Sequence, residues 1–289
     1  MNGTPQNSDA TTGAYASVHL ELESRPECIT LVRSMLAGLG EYLELDPELL
    51  DDLKTAVSEA CNNVVLHAYG GEPGPMSVML FVDGDRIRVT VEDEGRGFPA
   101  VALAADRSPG IGVSVIRALT QDAQFTARAG GGTQVRMDFA SQREGRELLL
   151  RPASAGPDDE WGPAEAGEVV VSLSPVTLLT GVLGRLARTL AATAHFSLDR
   201  FSDVYLITDT LAGLDASAAA GLRIGARLMA QDRRLELAVG PFRSGTGELL
   251  SASPAGRVSS PLALLSDQVS VEPAVDGELV RVVVIDHRR

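Results

Sequence analysis

Glu59 and Asn63 stand one helical turn apart in the stretch Asp52 to Tyr69, whose apolar residues Leu53, Ala56, Val57, Ala60 and Val64 recur at helical spacing. Side chains at i and i+4 leave a helix on the same side, so a carboxylate and a carboxamide face one place. A carboxylate takes a proton from a hydroxyl nucleophile, and an amide oxygen is a hard ligand suited to a magnesium ion that also holds phosphates. Taken alone the pair equally describes a surface glutamate and a capping asparagine, because short motifs are weak.

Two glycine motifs follow in order. Ile87 to Val91 alternates as a half-buried strand and runs into Glu92, Asp93, Glu94, Gly95, Arg96, Gly97 and Phe98. A carboxylate at Asp93 accepts hydrogen bonds from the exocyclic amine of adenine, and Gly95 and Gly97 let the backbone lie against a purine ring. Ser108, Pro109, Gly110, Ile111, Gly112 and Val113 then open a second apolar-periodic segment reaching Leu119. A helix start there offers free N–H groups and a dipole to a polyphosphate, with Phe98 to Ser108 as a lid carrying Arg107, and Arg96 beside it. Gly130, Gly131, Gly132, Thr133, Gln134 and Val135 form a turn entering a strand. A dinucleotide fold fails as an alternative, since no strand leads directly into Gly110 and Val115 stands where a third glycine belongs. Lys54 is the only lysine and follows no glycine-rich loop, which excludes a P-loop NTPase.

Together these blocks resemble the nucleotide-binding boxes of the Bergerat-fold ATPases, the superfamily of histidine kinases, gyrase and Hsp90. The similarity is greatest to the small anti-sigma-factor serine kinases, whose helix reads Ser-Glu-Ala, then Asn, then His; here these are Ser58, Glu59, Ala60, Asn63 and His67. The resemblance implies binding of ATP with Mg2+ and a serine/threonine protein kinase that phosphorylates a STAS-type antagonist protein while sequestering a sigma factor. It makes Glu59 the general base, Asn63 the magnesium ligand, Asp93, Gly95 and Gly97 the adenine site, Gly110 and Gly112 the phosphate site, and Thr133 a neighbour of the adenine. Arg33, on the first helix, becomes a candidate sigma-factor contact, although a solvated arginine on an exposed face explains it equally well. The alternative function is an ATP-gated anti-sigma or scaffold module without phosphotransfer, against which Glu59 argues, because a mere binder has less need of a base. His19 lies on a strand with no acidic or metal partner nearby, and no dimerisation helix precedes the motifs, which argues against a histidine kinase.

Thirty-nine acidic against 25 basic residues give a net charge of -14, which repels nucleic acid and anionic membranes. Cys28 and Cys61 sit in apolar helical patterns without metal-ligand spacing, so they read as small core residues in a reducing compartment. The start lacks the form of a signal peptide, and the longest apolar run, Val169 to Gly184, is broken by Ser172, Ser174 and Pro175, which implies a cytoplasmic protein.

The 289 residues suffice for two domains. Residues 1–16 read as a disordered tail, 17–141 as the ATPase domain and 142–167, rich in Pro, Gly, Ala and acids, as a linker in which Trp161 either docks or faces solvent. Residues 168–289 look like a degenerate second copy. Leu264, Leu265, Ser266, Asp267, Gly277, Val280 and Arg281 match Leu119, Thr120, Gln121, Asp122, Gly132, Val135 and Arg136 at a constant offset. In that copy Thr210 replaces Glu59, unless a one-residue slip brings Asp209 there; Leu214 replaces Asn63, Pro241 replaces Asp93, and Ala255 and Arg257 replace the lid-end glycines. A rival reading makes Val204 to Thr208 a strand of a STAS domain with Ser217 as its phosphoacceptor. The expected fold is an α/β (α+β) two-layer sandwich in tandem, each mixed and mostly antiparallel sheet covered by helices on one face. The chain is then a dimer or an intramolecular pseudo-dimer of its two repeats.

Overall fold

Alternation in Ala16–Glu23 buries Val18, Leu20 and Leu22 on one side of a strand, β1, which lies in the middle of the molecule. The computed structural model of the chain describes residues 16–97, 111–140, 161–214, 216–251 and 260–287. After β1 come α1 (Cys28–Tyr42), α2 (Pro47–Asn63), β2 (Pro75–Asp83), β3 (Arg86–Asp93), α3 (Ile111–Leu119), β4 (Asp122–Ala127) and β5 (Thr133–Ala140). The second half follows with β6 (Glu168–Ser174), α4 (Leu179–Thr193), α5 (Leu198–Ala212), β7 (Ile224–Gln231), β8 (Arg234–Phe242), α6 (Thr246–Ser251), α7 (Pro261–Leu265), β9 (Gln268–Ala274) and β10 (Gly277–Ile285).

The ten strands among the described residues form one sheet in the order β4-β5-β3-β2-β1-β6-β7-β8-β10-β9. Every described pairing is antiparallel, where the sequence reading allowed a mixed sheet. The halves meet at β1 and β6, with Leu20 opposite Val171. On the helical side α1 packs on α4, and the two backbones touch: a methyl added to Gly38 would lie 2.1 Å from the Gly181 carbonyl oxygen. Tyr42 to Thr177 and Ser34 to Thr189 hydroxyl contacts, with an Arg185–Glu41 ion pair, complete the seam. One hydrophobic core runs through both halves, from Val18 and Leu36 to Leu186 and Val284.

The helix that carries Glu59 is well started. Asp46 caps α2 by accepting the N–H groups of Glu48 and Leu49, Pro47 takes the first turn and Glu48 complements the dipole there. Such a cap contributes about 1 kcal/mol. Regular α-helix ends at Asn63, and Val64–Ala68 continues as a π-turn, so the single helix expected through Tyr69 is two pieces. The first helix starts at Cys28, and Arg25, just before it, turns back to pair with Glu23.

One rival reading falls and two expectations change. Val204 to Thr208, the STAS-like strand, is the interior of helix α5, with Val204, Ile207, Thr208 and Leu211 buried at helical spacing, which removes the basis for a phosphoacceptor at Ser217. Ala16 belongs to β1, not to a tail. The final part of the linker is anchored: Ala164 and Gly167 donate backbone N–H to Glu21 and Glu23, and Trp161 is 8% exposed. Its indole lies on Val170 and Ala238, over Gly225, where a Cβ would stand 2.2 Å from Nε1. Gly225→Ala is therefore expected to dislodge the sole tryptophan and shift its fluorescence to the red; an unchanged spectrum would mean that the indole is not seated there. Residues 1–15 and 142–160 lie outside the described residues.

Candidate functional site

The chemistry-bearing residues of the first half gather where α2, α3 and the end of β3 meet. Half-buried Glu59 and Asn63 leave α2 toward the N-terminus of α3. A methyl added at Gly112 would stand 2.8 Å from Glu59 Oε2 and 3.6 Å from Asn63 Oδ1. Only a glycine lets the free N–H end of α3 come this close to the carboxylate, and a carboxylate at a helix N-terminus is electrostatically favoured. The Asn63 amide nitrogen is buried with no hydrogen-bond partner among the described residues. Amide oxygen and nitrogen are interchangeable by rotation, so this orphaned amide suits an oxygen-to-cation contact.

Asp93 ends β3 and is 4% exposed. Its carboxylate accepts the Gly95 N–H at 2.8 Å and is also hydrogen-bonded by the Thr133 N–H and hydroxyl. Burial pushes its pKa above the ordinary carboxylate range, against these bonds and the nearby Arg128 guanidinium. Thr133 thus reaches Asp93 from β5, while Gly97, at φ +73, faces the Gly132 carbonyl across the same gap. Gly110, Arg107 and the lid segment Phe98 to Ser108 lie outside the described residues. Arg96 is exposed and lies against Gly70.

Arg33 is apart from this cluster. It is exposed and bridges α1 to α2 by donating to the Ser58 hydroxyl at 3.2 Å and the Lys54 carbonyl at 3.4 Å. His19 does have an acidic neighbour, contrary to the sequence reading: its Nε2 lies 3.4 Å from Glu21, two positions along the strand on the same face, and burial lowers its pKa. Cys28 and Cys61 are free and buried, and burial pushes the Cys28 thiol up to about 12. Two residues at the site escaped the sequence reading. Arg128 donates to the Asp93 carbonyl at 3.2 Å and pairs with Glu92, and Tyr69 binds the backbone just beyond Asp93. The available signal was an aromatic closing the helix immediately before Gly70 and Gly71.

A family profile for the histidine kinase-like ATPase domain matches residues 22–139. The serine-protein kinase RsbW of Bacillus pumilus (strain SAFR-032) is 30% identical over 129 residues, spanning 39% of this chain and 80% of that protein. An anti-sigma F factor of Thermoanaerobacter sp. (strain X514) is 28% identical over 129 residues, spanning 42% of this chain and 90% of that protein. A crystal structure of the RsbU and RsbW domains of a Mycobacterium tuberculosis protein shows 23% identity over 49% of this chain and 34% of that one, at a TM-score of 0.35, too loose to add to the assignment. With four-fifths of the Bacillus kinase matched, and a Glu–Asn helix turned toward a glycine-bearing helix start, the chain belongs to the histidine kinase-like ATPases, in the group of RsbW and the anti-sigma F factors.

Proposed function

We propose that residues 17–141 bind Mg-ATP and phosphorylate a serine of a STAS-type antagonist protein, while sequestering a sigma factor in a cytoplasmic partner-switching system. The observation that carries this reading is the approach of Gly112 to Glu59 and Asn63. It joins a base, an amide ligand and free helix N–H groups at one point. Glu59 accepts the proton of the serine hydroxyl as that oxygen bonds to the γ-phosphorus; the bond to the bridging oxygen breaks and ADP leaves with the electron pair. N–H groups at the start of α3, with Gly110 just before it, spread the phosphate charge. Asn63 holds magnesium, which neutralises phosphate charge. Asp93 selects adenine beside Gly95, Gly97 and Thr133, and Arg33 is a candidate partner contact on the helical face. The names of the relatives, a serine-protein kinase and an anti-sigma F factor, support the reading. No helix among the described residues is long and apolar enough to cross a membrane.

Residues 168–289 are read as a degenerate copy of the ATPase domain. The strand order of the two halves mirrors across β1 and β6, and Glu44 and His195 share a positive φ just after α1 and α4. An equal count along the chain from these two supports Thr210 over Asp209 as the counterpart of Glu59, and Leu214 as that of Asn63. Thr210 spends its hydroxyl on the Leu206 carbonyl. Glu278 accepts the N–H groups of Gly245 and Gly247, so amides at this end of the second half are satisfied by the chain itself. Ala255 and Arg257 lie outside the described residues. The copy covers the β1 edge and the α1 face, as a second subunit would.

Calorimetric titration with ATP and magnesium tests both parts: one site per chain is expected, with a monomer in equilibrium sedimentation. No site would end the nucleotide reading, two sites would end the degenerate-copy reading, and a dimer of full chains would count against an internal second subunit. ATP binding without transfer to any STAS-domain protein would leave the gated binding module.

A further inference from the structure

The tail of α2 reaches past Asn63 into the loop that follows Asp93. The π-turn Val64–Ala68 widens the helix, a feature frequent at functional sites, and delivers Ala68 and Tyr69 to that loop. Ala68 contributes its carbonyl, which accepts the Arg96 N–H at 2.9 Å and lies so near Gly95 that a Cβ there would be 2.3 Å away. Tyr69 contributes its hydroxyl, which accepts the Glu94 N–H at 2.8 Å and donates to the Pro75 carbonyl at 2.5 Å. Its ring fills the place a side chain would take at Gly74, 2.4 Å from where a Cβ would stand. The hydroxyl therefore ties the residue after Asp93 to the start of β2.

We propose that Tyr69 is a positioning residue for base selection, holding the Glu94–Gly95 backbone so that the Asp93 carboxylate keeps the orientation that accepts the amine of adenine. This rests on the reading of Asp93 as the adenine acceptor. The link is the Gly95 N–H, which donates to Asp93 Oδ1 and belongs to the peptide that Tyr69 and Ala68 bracket. Arg128 secures the Asp93 carbonyl from the other side. A carboxylate so held favours a base with an amine at position 6 and repels one with a carbonyl oxygen there, which is the difference between adenine and guanine. Burial raises the Tyr69 phenol pKa, so the hydroxyl stays a donor through the neutral range.

The test compares ATP and GTP binding, with magnesium, by the full chain and its Tyr69→Phe and Asp93→Asn variants, together with phosphotransfer over a range of ATP concentrations up to saturation and the unfolding temperature. In Tyr69→Phe, ATP binding is expected to weaken roughly three- to tenfold, the effect of one hydrogen bond, with GTP binding unchanged. The ATP-to-GTP preference then falls while kcat is retained and KM rises. A merely structural tyrosine would lower the unfolding temperature and leave the preference where it was. An unchanged preference in Tyr69→Phe beside a collapsed one in Asp93→Asn overturns the role of Tyr69 alone. An unchanged preference in both overturns the adenine site and this proposal with it.

Discussion

Glu59→Gln is expected to lower the rate of serine phosphorylation by roughly 10²- to 10⁴-fold, the usual contribution of a positioned general base, while ATP affinity stays within a few-fold of the parent. The amide keeps the size of the side chain, so the contact with Gly112 and the packing of α2 on α3 persist. What it removes is the capacity to take a proton. Single-turnover transfer from labelled ATP to purified STAS-domain proteins, beside calorimetric ATP titration of the same preparation, separates the two effects. Full phosphorylation by the variant would sink the role of Glu59, and a parallel loss of ATP binding would make it a structural or phosphate-site residue instead.

The second large effect is at Asp93. Asp93→Asn replaces a charged acceptor by a neutral amide, and a hydrogen bond to a charged group is worth on the order of 1.5 to 3 kcal/mol, so ATP binding should weaken roughly ten- to a hundredfold. The raised pKa of this carboxyl adds a pH signature. As pH falls, wild-type Asp93 protonates before an ordinary aspartate would, and ATP affinity should fall with it; the asparagine variant has no such component. Stability moves the other way. A carboxyl whose folded pKa exceeds its unfolded value binds its proton more tightly when folded, so its stabilising contribution is present in acid and is lost as pH rises through the folded value. At neutral pH that contribution of Asp93 is therefore absent. The stability of the parent relative to the nucleotide-free variant should therefore rise as pH falls from neutral into acid. Thermal unfolding across that range checks the sign, and a large drop in the variant at neutral pH would show that Asp93 holds the fold together.

The residues that come together at the site were legible because each sits in a locally determined element. The stripe Leu53, Ala56, Val57 and Ala60 requires an amphipathic helix wherever it packs, and Glu59 and Asn63 share a side of it by geometry alone. Alternation in Ile87 to Val91 likewise places Asp93 at a strand end. Where local pattern was ambiguous, tertiary packing chose: Val204 to Thr208 reads as a short strand by itself, yet its Val204 and Ile207 bury together with Leu211 along one face of α5.

By itself the sequence determined most of the element types and the order of the nucleotide motifs in the first half, because helical and strand periodicity and glycine turns act over a few residues. Only the tertiary structure decided that β1 and β6 join the halves into one antiparallel sheet, that Trp161 lies over Gly225, and that Tyr69 reaches Glu94 across the π-turn. Each of these joins residues far apart in the chain or bends a helix off its regular path. An alternating strand looks the same whichever strand it pairs with, and a helix pattern does not show where the helix will widen.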